Sequence, residues 1–266
     1  MLTDMICAEP VALFVFAHQD DESFVYARLL IEKRLGRRAF CVFMTDGALL
    51  VKTPEIRNRE SIKVLKRLGV LESDIIFAGE AMAIADGNLP YRLHDAGQWI
   101  RDWLSAFSCI KGIYVTAWEG GHHDHDALHA VMVHIAQQKN IIDIVHQFPL
   151  YNGYKCPGLF FRVMLPLRDN GSISCTRFPF RNRLLFLKCC LGYPSQINAW
   201  IWLFPFFLFH YMFCGVQALQ GVCVERTLQR PHSGSLYYEK RRLFSWDEML
   251  KLISAWHNSY SINGSK

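Results

Sequence analysis

The stretch that most limits what this chain can fold into is the apolar run Val11-Ala12-Leu13-Phe14-Val15-Phe16, which breaks off into Ala17-His18-Gln19-Asp20-Asp21-Glu22. An unbroken apolar run with β-branched and aromatic members reads as a parallel strand buried on both faces. Such a strand delivers the polar residues after it to its carboxyl end, where open α/β sheets keep their chemistry. The layout recurs at Ile113-Tyr114-Val115-Thr116-Ala117-Trp118, followed by Gly120-Gly121-His122-His123-Asp124-His125.

Between these runs the pattern alternates. Phe24, Val25, Leu29, Leu30 and Leu35 recur at helical spacing and Gly36 is a stop; Ala39 to Met44 forms a second strand ending in Thr45-Asp46-Gly47. A helix over about Glu55 to Leu68 leads to a third strand at Ile75-Ile76-Phe77, and Ala96, Trp99, Ile100, Trp103, Leu104 and Phe107 form one face of another helix. Val145 to Phe148 and Leu159 to Leu165 are taken as fifth and sixth strands, with a short C-terminal helix capped by Ser245. The class predicted is α/β: a Rossmann-like, mainly parallel sheet with helices on both faces and an irregular C-terminal extension. The division expected is a core over residues 1–196, with residues 197–266 packed on the same domain. In a doubly wound sheet the first and fourth strands adjoin, so the two His/Asp clusters would face each other across one crevice.

If a helix begins near Asp20 to Ser23, His18 and Asp21 lie one turn apart and can converge on one cation, with Asp20 nearby but not needed as a ligand. Taken alone, the acidic residues could equally be first-turn carboxylates at a helix N-terminus. The unbroken His122 to His125 run is harder to explain as fold residues.

His18-Gln19-Asp20-Asp21-Glu22 resembles the AHPDDE signature of the PIG-L/LmbE-like zinc-dependent de-N-acetylases, and His122-His123-Asp124-His125 resembles that family's HPDH signature. Thr45-Asp46-Gly47, Arg57-x-x-Glu60 with Leu68-Gly69, and Lys188 to Gln196 agree, so the resemblance runs from about Val11 to Gln196. It implies that His18, Asp21 and His125 bind the metal and that Asp20 is the general base. It further implies that His122 serves the oxyanion or the departing amine, with Asp124 orienting His122. The family match places Arg57 near the sugar, although it could equally form a helix-surface ion pair with Glu60; Gln19, at the rim, and Asp86, otherwise an ordinary turn residue, are further substrate-binding candidates. The implied cofactor is Zn2+, with Fe2+ compatible with the same donors. The activity implied is hydrolysis of the acetamide of an N-acetylglucosamine-type sugar or its conjugate, lipid-linked or soluble. An amidase on another sugar-linked amide, and a non-catalytic metal- or sugar-binding protein at a membrane, are the alternatives.

Gln19 and His123 replace prolines of the usual signatures, so each loop loses a rigid element. His123 is an extra-ligand candidate, but its neighbours already fill the roles. His129 and His134 read as packed or surface histidines, and Arg230 and His232 could reach the substrate but neither is assigned to it. Ser195 and Cys189-Cys190 lack the surroundings of a nucleophile.

A net charge of +5 is too weak to indicate nucleic acid, and nine cysteines without paired spacing suggest a reducing compartment. Met1 to Pro10 lacks a basic n-region, so a cytoplasmic location is expected, with association at the inner face of a membrane. The reason for that addition is Cys189 to Val224, which contains no Asp, Glu, Lys or Arg. Three structures suit it: helices buried under the domain, an element dipping into the bilayer surface through 199–224, or a transmembrane span.

Overall fold

The computed structural model describes residues 9–48 and 54–263, so residues 1–8, on which most of the leader reading rests, lie outside it. Strand β1 (Val11–Phe16) leads through a 3-10 turn at Asp21–Phe24 into α1 (Tyr26–Arg34) and β2 (Arg38–Phe43). Then come α2 (Pro54–Leu68), β3 (Ile75–Phe77), the single turn α3 (Ala78–Ala81), α4 (Leu93–Ser105), β4 (Ile110–Thr116), α5 (His123–Gln138) and β5 (Val145–Phe148). These strands lie parallel in the order β3-β2-β1-β4-β5. The chain is an α/β protein with the predicted switch point between β1 and β4.

All of β1 is buried, and alternate residues go to two different cores. Val11, Leu13 and Val15 pack with α4, α5 and the C-terminal helix, while Ala12, Phe14 and Phe16 pack with α1, α2 and the elements after residue 177. This two-sided burial is why the run shows no polar alternation.

Beyond β5 the extension departs from expectation. Only Arg162–Val163 (β7) of the expected sixth strand is extended, and it pairs with Tyr151–Asn152 (β6) in a separate two-stranded sheet. The main sheet is completed instead by β8 (Ile173–Arg177) and β9 (Val216–Gly221), with β9 antiparallel to both β5 and β8. Strand β9 lies inside the uncharged stretch. Its buried Gln217 and Gln220 donate to the carbonyls of Phe24, Leu167 and Gly171, so polar side chains are satisfied where periodicity gave no strand signal. Helix α6 (Phe180–Cys190) precedes α7 (Ile197–Phe209), which runs through Pro205 into a π-helical turn ending at Gly215. After the single turn α8 (Tyr237–Lys240), the C-terminal helix α9 (Trp246–Asn263) has 18 residues, not the short helix expected, and lies over α4 and α5. Ser245 Oγ accepts from Glu248 N at 3.2 Å, the predicted cap.

Candidate active site

The carboxyl ends of β1 and β4 bring the two sequence clusters together. After β1 the chain closes a tight turn in which Asp21 Oδ2 accepts from the backbone N–H groups of Ala17 (3.1 Å) and His18 (2.8 Å). That turn fixes Asp21 with Oδ1 3.1 Å from His125 Nε2, across the crevice from the first turn of α5. His18 Nδ1 lies 3.2 Å from His125 Nε2 and 3.7 Å from Asp21 Oδ2. All three side chains are buried.

These separations bracket the ~3.3–3.6 Å edge of a tetrahedron whose metal-to-ligand bonds are ~2.0–2.2 Å. Two imidazole nitrogens facing each other beside a carboxylate need a cation between them, whether a proton or a metal. The donor set therefore fits a divalent ion. Burial works against an imidazolium at His18, but Asp86, Asp124 and Asp21 outweigh it and raise its pKa well above the usual value. Burial would likewise raise Asp21, yet His125 and His18 hold it below the usual carboxylate range.

Asp124 does not orient His122 as the sequence suggested. Its Oδ2 is 2.9 Å from His18 Nε2 and 3.9 Å from His122 Nδ1. The carboxylate is also held by Gly87 N (2.6 Å) and Leu89 N (3.1 Å), which turn it towards β1. It thus holds His18 through the ring nitrogen opposite the one that faces His125 and Asp21. Asp86 shares this task, its Oδ1 lying 3.1 Å from His18 Nε2. Burial would raise the Asp86 carboxyl, but His18, His122 and Arg57 together hold it well below the usual range. Asp86 owes its place to Asp46, whose Oδ1 accepts from Asp86 N at 3.0 Å, so the Thr45-Asp46-Gly47 turn builds one wall of the site.

His122 caps α5: Asp124 N donates to its Nδ1 at 3.2 Å. With Nδ1 accepting, the ring hydrogen sits on Nε2, free to donate. Burial, followed by the neighbouring His18, His123 and His125, lowers its pKa well below 6.5, so the ring is neutral. Asp20 lines the same cleft in a left-handed backbone conformation (φ 108°), which is costly for a residue with a Cβ and marks a constrained position. Burial pushes its carboxyl up to about 7, opposed by Arg57, whose Nη2 lies 3.7 Å away.

Arg57 is buried and lines the cleft, rather than forming a surface pair with Glu60. It donates to the carbonyls of Gly47 and Gln19 and reaches Asp86 Oδ2 at 3.5 Å, tying three loops together. Glu60 instead binds Ser195 N (2.9 Å) and Oγ (2.5 Å). Gln19 is not at the rim. It is 1% exposed and turned beneath the cleft, where Nε2 donates to Asn58 Oδ1 (2.7 Å) and Asp46 O (3.2 Å). Gly47 lets it sit there, with φ +64° and an ideal Cβ that would lie 1.9 Å from Gln19 Oε1. Gly47→Ala is expected to cost roughly 1–2 kcal/mol from the backbone alone, measured by denaturant unfolding, with further loss from displacing Gln19.

His123 stacks on Phe244 with ring centroids 5.0 Å apart and meets Gly87 O through Nε2 at 3.0 Å. His129 is packed, its Nδ1 donating to Thr116 O at 2.8 Å. Arg230 pairs with Glu239, and neither Arg230 nor His232 lines the cleft.

Sequence reasoning missed Glu119 and Asp126, which build the turn between β4 and α5. Asp126 Oδ1 accepts from Glu119 N and Gly120 N, and Glu119 accepts from Leu150 N and Asn152 Nδ2. The available signal was two further carboxylates bracketing the histidine run. Tyr151, edge-on to His125 at 5.8 Å, carried no signal.

The cleft of about 1390 Å³ runs from these polar groups to an apolar wall of Phe24, Phe161, Trp200, Leu203, Phe206 and Tyr237.

Residues 13–136 match the family model described as PIG-L, GlcNAc-PI de-N-acetylase. Through this segment, which contains both His/Asp clusters, the chain is similar to the PIG-L/LmbE-like family. Among solved structures, a deacetylase from the biosynthesis pathway of teicoplanin, in its bog complex, has a TM-score of 0.60 at 16% identity, covering 80% of this chain and 97% of its own. The zinc inhibited form of teicoplanin deacetylase gives 0.58 at 15%, covering 80% and 97%. N,N'-diacetylchitobiose deacetylase from Pyrococcus horikoshii, with its inhibitor, gives 0.53 at 15%, covering 84% and 86%. At these identities the likeness is one of fold. No curated protein matches the chain.

Proposed function

We propose that the chain is a metal-dependent de-N-acetylase that hydrolyses the acetamide of an N-acetylamino sugar conjugate, releasing acetate and a free amine. One observation carries this: a buried His18–Asp21–His125 cluster with metal-site spacing opens on a cleft that also holds Asp20 and the neutral His122. A site that only held a metal has no use for either.

His18, Asp21 and His125 would hold the ion, with zinc favoured by the family and iron(II) compatible with the same donors. When bound, such an ion polarises the acetyl carbonyl and makes water acidic enough to attack near neutral pH. Asp20 takes the proton from the attacking water and returns it to the amide nitrogen as the C–N bond breaks. His122 donates Nε2–H to the oxygen that becomes negative at the tetrahedral stage, the moment when a fixed donor counts most. Arg57, Asp86 and Asp124 keep the base and His18 in place. The apolar wall supports a conjugate whose aglycone is apolar, such as a lipid-linked or acylated sugar.

The test is primary amine release from N-acetylglucosamine conjugates with hydrophilic and apolar aglycones, with and without chelator. Chelator-sensitive release, fastest for the apolar members, is expected. Absence of release from every member by metal-loaded protein would count for the non-catalytic alternative.

A pH dependence follows from Asp20. Below its pKa the carboxyl is protonated and cannot accept the water's proton. A bound cation favours the carboxylate, as Arg57 does, so the acid limb of kcat/KM should have its midpoint at or below about 7. A profile that instead rises as pH falls from 7 to 5 would remove Asp20 from the role of base.

A further inference from the structure

Helix α7 and its π-turn present an apolar face to solvent. Pro194–Cys214 is long and apolar enough to cross a membrane, yet only 22% of its most apolar window is buried. Trp200, Phe207 and Tyr211 form the stripe that packs on the domain: Trp200 stacks on Tyr193 with ring planes 2° apart, and Tyr211 Oη donates to Ser23 O at 2.7 Å. Ser195 at the start is tied to Glu60, and Gly215 at the end leads directly into β9. The segment is thus fastened along its length, which is incompatible with traversing a bilayer, and its low burial does not fit the buried-helix alternative either.

On the opposite side Trp202, Phe209 and Phe213 are 72%, 61% and 75% exposed. Phe160, 71% exposed, lines the same cleft as residues of α7. A soluble monomer rarely leaves so much large apolar surface uncovered in one place. The surrounding charge is one-sided. From Gly171 to Val224 there is no Asp or Glu, while Arg177, Arg181 and Lys188 are exposed on β8 and on α6, the helix beside α7. Apolar side chains in a stretch of chain whose own charged residues are all basic suit the interface of an anionic phospholipid bilayer.

We propose that this face docks on an anionic phospholipid surface, with α7 lying in the plane of the interface, so that the cleft opens at the membrane. The proposal takes from the proposed function only that the cleft receives the substrate. It concerns binding, and its test needs no turnover.

The experiment is co-sedimentation of the full chain with vesicles of equal parts phosphatidylcholine and phosphatidylserine, and with vesicles of phosphatidylcholine alone. Binding to the first, several-fold weaker to the second and weakened by salt, is expected. The pair Phe209→Glu and Phe213→Glu, which lies outside the cleft, should reduce binding at least tenfold while leaving the circular dichroism spectrum and the hydrolysis of a soluble substrate unchanged. Should that pair not fold, Arg181→Glu with Lys188→Glu should weaken binding to the anionic vesicles alone. Brominated lipid should quench tryptophan emission, less so in Trp202→Phe. Folded protein that binds neither vesicle overturns the proposal. So does a concentration-dependent dimer in sedimentation velocity that the Phe209/Phe213 pair abolishes, since the face then belongs to a second copy. Vesicle binding without amine release from any conjugate would uphold this inference while removing the proposed function.

Discussion

Asp20→Asn is expected to bind metal with parent stoichiometry and to lose roughly 10²–10⁴ of kcat, the range that a positioned general base contributes. The substitution preserves shape and removes the ability to take a proton. It also removes a carboxylate that burial, with Asp21 and Glu22 nearby, disfavours in its charged form. The folded pKa of about 7 is above the unfolded value, so above neutral pH the ionised side chain weakens the fold. The variant should therefore have an unchanged or higher Tm, and asparagine accepts the left-handed conformation as well as aspartate does. Loss of activity with loss of stability or of metal would point to a structural role instead. Metal analysis, steady-state kinetics and calorimetry on one preparation separate these outcomes.

His18→Ala has the larger effect, because it removes metal and turnover together. With one imidazole gone, Asp21 and His125 retain two donors where a tetrahedral site needs three from the protein, and the half-buried Asp86 and the buried Asp124 are left without the ring they hold. Activity should fall to that of chelated parent protein. Asp124→Asn distinguishes the observed arrangement from the expected one. Since Asp124 meets His18 rather than His122, its loss should weaken metal affinity by about 10–100-fold, the usual cost of losing such a partner, and excess metal should restore much of the activity. If Asp124 acted through His122, added metal would restore nothing. Metal titration against a competing chelator, with kcat measured at saturating metal, reads both.

How much of this was legible beforehand depended on what each residue had to satisfy. The core was legible because β1 and residues 112–116 of β4 are buried on both faces, which leaves their sequences apolar without alternation. The facing of His18 and Asp21 with His125 followed from the strand order alone. Gln19 was misplaced because its environment depends on Gly47 and Asn58, far along the chain, and nothing in a glutamine says whether it points to the rim or beneath it. Asp124 was assigned to the wrong histidine for a similar reason. The resemblance paired it with His122, whereas the donors Gly87 N and Leu89 N, on a distant loop, turn the carboxylate the other way. Strand β9 was hidden because its buried glutamines are paid for by carbonyls of other segments, and α7 because an exposed apolar face and a buried one have the same composition.

The most direct test of the central claim is acetate release by metal-depleted protein as zinc is added back, with an N-acetylglucosamine conjugate as substrate. Restoration to a plateau at one equivalent per chain, absent in His18→Ala and accompanied by metal binding without turnover in Asp20→Asn, is the result predicted. Acetate release that is unchanged by metal depletion, or that persists in both variants, would contradict it.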